Sequence, residues 1–218
     1  MIIVKKILIF DLDGTLVNSK QSIINSFNYA FKKNNIKKIN ERYFKKYASK
    51  GSLYFIKNNL DKNKINNLEK INKDFHRIYE RLCVTNISCR IGVRWFLNKF
   101  KNQYTYVICT NKNLYFTNKI LNKLNIKKYF FKIYGSDFSK FKKPSKKLFL
   151  KIINNLNQRK KIMYIGDSQT DYNFAKNSSK NFILIKDGYT LEKPKQITLK
   201  HSIKNFYELK NVLDLSKF

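Results

Sequence analysis

The sequence predicts an α/β fold in which a doubly wound, mostly parallel sheet forms the core and a helical domain is inserted into it. Short apolar runs typical of buried strands alternate with segments of helical periodicity, an order that favours parallel strands with helices on both faces. Between residue 19 and about residue 86 the periodicity is helical only. We therefore assign residues 1–18 and 88–218 to the core and residues 19–87 to the insert.

The first strand is predicted by the apolar run Ile7-Leu8-Ile9-Phe10, which ends at Asp11. The insert follows at Ser19, which can cap a helix. Apolar residues three or four positions apart then predict two amphipathic helices. These residues are Ile23, Phe27, Ala30 and Phe31 in one helix, and Ile71, Phe75, Ile78 and Leu82 in the other.

Strands and helices alternate again after the insert. Further strands are predicted at residues 104–109, 132–134, 162–165 and 182–185. Helical stripes lie between them, and the tail from Ser202 predicts a last helix with its apolar side inward. The apolar residues of these helices are Phe116, Ile120, Leu121 and Leu124, then Leu148, Phe149, Ile152, Ile153 and Leu156, then Ile203, Phe206, Leu209 and Leu213.

Asp11 and Asp13 form the most informative pair of residues in the chain. They lie two positions apart at the end of a predicted strand, so their side chains can face the same way. Gly14 then permits a sharp turn. Two adjacent carboxylates suit a nucleophile beside a proton donor, with a divalent cation to offset their repulsion. From the residues alone, a capping turn or a calcium-type loop would also fit this pattern.

Polar motifs follow two further predicted strands. Thr110-Asn111-Lys112 follows the strand at 104–109, Gly166-Asp167-Ser168-Gln169-Thr170-Asp171 follows the strand at 162–165, and Lys143-Pro144 lies between them. In an open parallel sheet the ligand crevice lies outside the carboxyl ends of the strands, so these motifs are expected to converge there. Ordinary helix caps are the alternative interpretation of both polar motifs.

Together these motifs, in this order, resemble the four motifs of the haloacid dehalogenase superfamily. Thr110-Asn111-Lys112, Lys143-Pro144 and the later Asp187-Gly188-Tyr189 resemble its phosphoglycolate phosphatase branch. The resemblance implies a Rossmann-like catalytic core at 1–18 and 88–218, with residues 19–87 as a helical cap. It also implies a Mg²⁺-dependent phosphatase of a small phosphate monoester, with 2-phosphoglycolate as the leading candidate substrate.

The resemblance assigns the catalytic roles. It implies that Asp11 attacks phosphorus and forms an aspartyl-phosphate, while Asp13 protonates the leaving oxygen and then activates water. Lys143 would hold Asp11 and the phosphate by charge. The implied Mg²⁺ ligands are Asp11, the Asp13 backbone carbonyl and Asp167, with Asp171 in or near the outer shell. Dehalogenase members lack the second acid, so Asp13 points to phosphate chemistry.

Substrate binding is implied by the same resemblance. The Thr110 hydroxyl and the Asn111 backbone N–H would bind phosphoryl oxygens. Lys45 lies about where phosphoglycolate phosphatases often carry an arginine, and is the substrate-binding residue expected from the cap. Lysine cannot bind a carboxylate through two parallel hydrogen bonds as arginine does, which weakens the case for glycolate. Nucleotidase, pyrophosphatase and sugar-phosphate mutase activities therefore stay open as alternatives.

The formal net charge of +32 is extreme for a chain of 218 residues. A charge of this size is typical of proteins that bind nucleic acid or anionic surfaces. However, the lysines are spread along the whole chain, and the abundant Lys, Asn, Ile, Phe and Tyr share A- and T-rich codons. This favours compositional drift, so no specific nucleic-acid partner is expected. A basic nucleic-acid-binding protein on the same fold is the alternative.

Cysteine usage and hydropathy indicate the compartment. Three cysteines form no disulfide framework and no CxxC metal pattern. No apolar run is long enough to cross a bilayer, and the N-terminal apolar stretch is too short for a secretory signal. We expect a cytoplasmic monomer or homodimer without a membrane partner, acting on a small phosphorylated metabolite.

Overall fold

The central sheet is parallel, and its strands are apolar at nearly every position because helices cover both faces. The computed structural model of the protein describes residues 6–39, 41–60, 66–156, 161–178, 180–189, 201–216 and 218. With elements numbered in chain order, six strands in these ranges form the sheet: β1 (Lys6–Phe10), β4 (Tyr104–Cys109), β5 (Phe130–Tyr134), β6 (Ile162–Gly166), β7 (Asn181–Ile185) and β8 (Ser202–Ile203). Their order is β5-β4-β1-β6-β7-β8, with every neighbouring pair parallel.

A short antiparallel pair stands at the two ends of the helical segment. Its strands are β2 (Val17–Asn18) and β3 (Ser88–Cys89), with Val17 opposite Cys89. The helices between them are α1 (Lys20–Lys33), α2 (Glu41–Tyr47), α3 (Ser52–Lys57) and α4 (Leu68–Leu82), with a 3₁₀ turn at Ala48–Lys50.

Stacked aromatic rings hold these helices together. Phe27 of α1 stacks against Phe55 of α3 and Phe75 of α4, with ring centroids 4.1 and 4.0 Å away. Phe75 in turn stacks on Tyr79 at 5.3 Å. The apolar stripes predicted for the two long helices therefore face each other, and their large planar side chains account for the close packing.

Alternate residues of β1 serve the two faces of the sheet. Leu8 and Phe10 join the apolar core on one face with residues of α5 (Val93–Lys99), α6 (Leu114–Lys123) and α9 (Leu209–Leu215). Ile7 and Ile9 join the core on the other face with residues of α7 (Lys146–Leu156) and α8 (Gln169–Asn177). Helices thus cover both faces, which confirms the predicted doubly wound α/β fold.

Strand register places the polar motifs at one edge of the sheet. Phe10 pairs with Ile108 of β4 on one side and with Ile165 of β6 on the other. The three central strands therefore end within one residue of the same level. The residues that follow them are Asp11, Thr110 and Asp167, so the carboxyl edge of the sheet is where these side chains meet.

The prediction of a last helix from Ser202 is wrong in its first part. Ser202–Ile203 is an edge strand in which Ile203 pairs with Ile185, and the helix begins only at Leu209. Ile203 and Phe206 are fully buried in this strand and turn. Apolar residues at this spacing would also be buried in a helix, so the spacing could not distinguish the two structures.

The helices and the cysteines bear on the predicted absence of membrane spans and disulfides. In those ranges no helix has both the length and the apolar character that a bilayer crossing needs. Cys83, Cys89 and Cys109 are all free thiols.

Candidate active site

The parallel sheet fixes the backbone of the first residues after the strands. The Asp11 N–H donates to the Ile165 carbonyl at 2.9 Å, which continues the β1–β6 ladder by one residue. The Thr110 N–H donates to the Tyr134 carbonyl at 3.0 Å on the other side of β4. These bonds are made by rigid elements, so both side chains have defined positions at the sheet edge.

A buried lysine occupies the centre of the site. The Lys143 ammonium donates to Asp11 Oδ1 at 2.7 Å, to Asp171 Oδ1 at 2.7 Å and to the Tyr164 hydroxyl at 2.9 Å. Its side chain is 3% exposed. Burial alone would lower the pKa of Lys143, but Asp11 and Asp171 outweigh burial and raise that pKa well above its ordinary value. Lys143 is therefore a permanent cation against Asp11.

Asp171 is held by the first turn of α8. Ser168 caps this helix: its hydroxyl accepts from the Asp171 N–H, and the Asp171 carboxylate accepts from the Ser168 N–H in a capping box. The Asp171 Oδ1 atom accepts from Lys143 and from the Tyr164 hydroxyl. The alternative of a helix N-terminus is thus correct for Asp171, and the same contacts aim Lys143 at Asp11.

Asp13 lies beside Asp11, turned toward the helical segment. Its Oδ1 accepts from the Ser19 hydroxyl, and its Oδ2 lies 3.1 Å from the Lys112 ammonium. Lys112 also donates to the hydroxyl of Tyr79 on α4. Ser19 stands at the N-cap position of α1 but makes no side-chain capping bond, so its predicted capping role is wrong. Its hydroxyl donates to the Asp13 carboxylate, a stronger acceptor than a backbone group.

Asp167 is enclosed by backbone. Its Oδ2 accepts from the Tyr189 N–H at 2.7 Å, and its Oδ1 accepts from the Thr15 hydroxyl at 3.3 Å. A Cβ added at Gly14 would lie 2.3 Å from Asp167 Oδ2, and one at Gly188 would lie 2.2 Å from it. Two glycines are therefore needed for the backbone to approach this carboxylate.

The acids are suited to hold a divalent cation. Asp11, Asp167 and Asp171 each place a carboxylate oxygen within 4.8 Å of the others. Burial raises the pKa of Asp11 to about 7, against the opposing effect of Lys143. Burial, with Asp11 and Asp171 nearby, raises the pKa of Asp167 well above its ordinary value. Crowded buried carboxyls with raised pKa values are stabilised by added positive charge, and oxygen-only donors suit Mg²⁺.

The second motif presents donors and braces the neighbouring loops. The Thr110 hydroxyl accepts from the Lys112 N–H at 3.1 Å, and α6 is capped by Asn113 instead, so the helix-cap interpretation does not hold for Thr110 and Asn111. The Asn111 side chain donates to the carbonyls of Ser49 and Lys143 at 3.1 and 3.3 Å. It thereby ties the helical segment to the Lys143 loop.

Backbone donors at the site lack partners. Within the described ranges the N–H groups of Leu12 and Asn111 make no hydrogen bond, although Leu12 is fully buried. Unpaired buried N–H groups are rare in proteins. They are suited to accept an anion that enters the site, such as a phosphoryl group.

A cavity of about 400 Å³ opens over these groups. The predicted residues Asp11, Asp13, Thr110, Asn111, Lys143, Asp167 and Asp171 all line it. Its opposite wall is the helical segment, with Phe27, Phe44, Phe55 and Phe75. The site therefore lies between the sheet edge and the helical segment.

Lys45 is the predicted residue that the structure does not bring to this cavity. It lines an adjoining pocket of about 450 Å³, and its ammonium lies 3.1 Å from Glu41 Oε1, one turn earlier on α2. The side chain is 36% exposed.

Sequence reasoning missed several residues of the site. Lys112 was recognised as part of a motif but given no role, although it is the cation on Asp13. Tyr164 lies in a strand that reads as wholly apolar, so no signal distinguished its hydroxyl. Tyr189 belongs to the quoted Asp187-Gly188-Tyr189 motif, and its N–H holds Asp167. Only the tertiary contacts give these residues a function.

A family model and several relatives match most of the chain and indicate the same family. The family model described as haloacid dehalogenase-like hydrolase matches residues 8–185. The phosphoglycolate phosphatase of Mesorhizobium japonicum is 26% identical over 199 residues, covering 85% of this chain and 85% of that protein. The phosphoglycolate phosphatase of Aquifex aeolicus is 26% identical over 186 residues, covering 84% and 86%.

Solved structures share the fold. A predicted phosphoglycolate phosphatase from Haemophilus somnus superposes with a TM-score of 0.85 over 97% of this chain and 99% of that chain, at 22% identity. CbbY from Rhodobacter sphaeroides, in complex with phosphate, superposes with a TM-score of 0.81 over 97% and 100%, at 18% identity. At these identities the likeness establishes the architecture of the chain.

Proposed function

Since the chain belongs to the haloacid dehalogenase-like hydrolase family, we propose that it hydrolyses a small phosphate monoester through an aspartyl-phosphate on Asp11, with Mg²⁺ as its cofactor. The family and the relatives make it a phosphoric monoester hydrolase of the phosphoglycolate phosphatase-like branch. The observation that carries the proposal is the Asp11 carboxylate, held 2.7 Å from the Lys143 ammonium on the floor of the cavity.

In the proposed reaction Asp11 attacks phosphorus and the ester bond breaks. Lys143 keeps Asp11 oriented and offsets its charge as the phosphate dianion approaches. The Thr110 hydroxyl and the N–H groups of Leu12 and Asn111 bind the phosphoryl oxygens. Transfer of this kind depends on positioning and charge stabilisation more than on covalent help, so these preorganised donors are suited to it.

Asp13 is proposed as the general acid and base. It gives a proton to the leaving oxygen and later takes one from the water that hydrolyses the aspartyl-phosphate, a type of help that contributes roughly 10²–10⁴ in rate. Ser19 and Lys112 fix its carboxylate from two sides. A carboxylate with both oxygens engaged has one orientation, which is what proton transfer at a defined atom needs.

The proposed Mg²⁺ ligands are the carboxylates of Asp11 and Asp167 with the backbone carbonyl of Asp13. Asp171 would act from the outer shell, because its carboxylate is engaged by Lys143, Tyr164 and Ser168. Bound Mg²⁺ would supply positive charge that offsets the repulsion between the acids and the phosphate. The close approach of Gly14 and Gly188 to the Asp167 carboxylate supports its role as a ligand, because it holds that carboxylate in place.

The helical segment, proposed as a cap spanning residues 19–87, closes the cavity that receives the leaving group. The leading candidate substrate is 2-phosphoglycolate, because similar proteins are phosphoglycolate phosphatases. The cavity is large enough to hold this molecule. We place the enzyme in the cytoplasm, which suits its three free thiols.

The test is Asp11→Asn, which nearly preserves shape and removes the attacking charge. Hydrolysis of 2-phosphoglycolate, a nucleoside monophosphate, pyrophosphate and a sugar phosphate should each fall to background while circular dichroism is unchanged. Asp214→Asn, the same substitution at an exposed residue of α9, is the matched control and should retain wild-type turnover. Substantial turnover by the Asp11→Asn protein would refute the nucleophile.

Metal dependence is measured on the wild type. Excess chelator should abolish hydrolysis and added Mg²⁺ should restore it, while Ca²⁺ should support it poorly because it prefers longer bonds and looser coordination. Full activity in chelator would reject the metal role.

A further inference from the structure

We infer that Lys112 is a specificity-determining residue that binds an anionic group on the leaving alcohol, so that preferred substrates carry a carboxylate on the carbon bearing the ester oxygen. This inference rests on the proposed phosphatase function. It assigns to a residue of the second motif the recognition that the sequence had suggested for Lys45.

The hydrogen bonds of the two buried lysines differ in one respect. An ammonium has three donors. Lys143 uses three, on Asp11, Asp171 and Tyr164. Lys112 uses two, on Asp13 and on the Tyr79 hydroxyl, and has no third acceptor in the described part of the chain. Lys112 therefore has a donor to offer to a ligand, whereas Lys143 does not.

Lys112 is a buried cation on the wall of the cavity. Its side chain is 9% exposed, and it lines the cavity over Asp11. Apart from Lys112 and the buried Lys143, the described lysines that line this cavity are Lys50 and Lys142, and both are exposed. A weakly hydrated ammonium binds an anion more strongly than an exposed one does, because solvent no longer screens the pair. Lys112 is thus the cation best placed to select a charged substrate.

The position of Lys112 beside Asp13 determines which anion it can reach. Asp13 Oδ2 lies 3.1 Å from the ammonium, and Asp13 is the proposed proton donor to the ester oxygen. A group bound by Lys112 must therefore lie next to that oxygen. In 2-phosphoglycolate the carboxylate is attached to the carbon that carries the ester oxygen, which is the geometry that this arrangement favours.

Two residues of the helical segment line the cavity together with Lys112. The Lys112 ammonium lies 4.4 Å from the ring centroid of Tyr79, whose hydroxyl it also contacts. His76 lies on the same wall, where burial lowers its pKa and the charge of Lys112 lowers it further. On this wall of the cavity, Lys112 is therefore the group suited to bind an anion.

Lys112→Met tests the inference by removing the charge while keeping most of the side-chain length. Purified proteins are compared on 2-phosphoglycolate and on 2-hydroxyethyl phosphate, an ester of similar size whose leaving alcohol carries no charge. Lys123→Met, at an exposed position of α6, is the matched control for loss of one charge. Wild type and Lys123→Met should both prefer the carboxylate ester. In Lys112→Met kcat/KM should fall for both esters, because Asp13 loses one of its two partners, but the fall for the carboxylate ester should be larger by about tenfold or more.

A binding measurement separates recognition from catalysis. In the Asp11→Asn background, calorimetry should detect 2-phosphoglycolate binding that Lys112→Met weakens and Lys112→Arg, which keeps the charge, partly restores. Equal losses on both esters would mean that Lys112 only supports Asp13 and would overturn the inference. So would a wild type without preference for the carboxylate ester, whether or not the variant folds. Absence of hydrolysis of any phosphate ester by wild type would instead remove the proposed function itself.

Discussion

At the scale of single residues, the site depends on hydrogen bonds between its buried side chains. Tyr164 shows this most clearly, since its hydroxyl accepts from Lys143 at 2.9 Å and shares its one proton between the Cys109 carbonyl at 3.0 Å and Asp171 Oδ1 at 3.2 Å. It connects β4, β6 and the Lys143 loop, and its side chain is buried. Such networks lose more than one bond when a member is removed.

Tyr164→Phe is therefore expected to damage both stability and turnover. The Cys109 carbonyl loses a partner in a buried site, which costs about 1–3 kcal/mol. Lys143 loses one of its three anchors, and misplacement of a catalytic group lowers kcat by about ten- to a hundredfold. Denaturant unfolding and steady-state kinetics measure the two effects.

Tyr134→Phe is the control for this prediction. It removes a hydroxyl that donates to Asn155 Oδ1 at 2.9 Å, away from the cavity. It should lower stability modestly and leave kcat unchanged. If Tyr164→Phe likewise left kcat at the wild-type level, the hydroxyl would have no part in positioning Lys143.

The acids also predict how the effect of Mg²⁺ on stability changes with pH. The pKa of Asp11 is raised from 3.8 to about 7 by burial. The unfolded chain ionises this carboxyl at lower pH than the folded protein does. The stabilising contribution is therefore complete below about pH 4 and is lost as pH rises through about 7. Because Mg²⁺ binds the ionised form, its stabilising effect should grow over the same interval.

Thermal unfolding in chelator and in Mg²⁺ provides the measurement, at about pH 5.5 and about pH 7.5. The gain in Tm from Mg²⁺ should be larger at the higher pH. Asp11→Asn should reduce this difference, because the titrating carboxyl is gone. Equal gains at both pH values in the wild type would contradict the assignment of Asp11 to the cation site.

At the scale of elements, the helical segment is stabilised mainly by aromatic packing between α1, α3 and α4. Phe27 is 3% exposed and stacks on rings from both neighbouring helices. The same ring lines the cavity over Asp11. The packing that holds the helices together therefore also shapes the cavity over Asp11.

Phe27→Ala should destabilise the protein by about 3–5 kcal/mol, because it leaves a cavity where two stacked contacts were. Tyr29→Ala on the same helix is the matched control: Tyr29 is 60% exposed, and its loss should change stability by no more than about 0.5 kcal/mol. Urea unfolding of both variants tests this. Similar losses at the two positions would show that α1 does not pack as described.

At the scale of the whole molecule, the charge of +32 is distributed over the helices of both the core and the helical segment. A positive field of this size attracts phosphorylated anions to the site, and added salt screens it within about 10 Å at 0.1 M. Nothing in this distribution requires a nucleic-acid partner, and the buried acids that line the cavity would repel nucleic-acid phosphates.

Binding to labelled RNA and DNA of several sequences and shapes is expected to be weak and without preference at physiological salt. Contacts to about six to ten phosphates lose roughly 10³–10⁵ in affinity between 50 and 200 mM salt. Fluorescence anisotropy across that range measures it. Tight binding with a clear preference for one sequence or shape at physiological salt would favour the nucleic-acid alternative instead.

The sequence by itself determined the fold class and which residues meet at the carboxyl edge of the sheet. Apolar runs identified the central strands, and the residue type after each strand identified Asp11, Thr110 and Asp167 as neighbours, because parallel strands end at one edge. These inferences succeeded because they depend on local pattern and on a general rule of sheet geometry. Both inferences needed only the order of strands and polar motifs along the sequence.

Only the tertiary structure decided which side chains contact one another across the cavity. In the structure, Lys112 and Ser19 both contact the Asp13 carboxylate. The Tyr164 hydroxyl, in an otherwise apolar strand, contacts Lys143. Lys45 lies outside the cavity and pairs with Glu41. Each of these contacts joins residues through side-chain reach and packing angle. Residue spacing does not encode those quantities, since they depend on how the helical segment lies on the sheet edge.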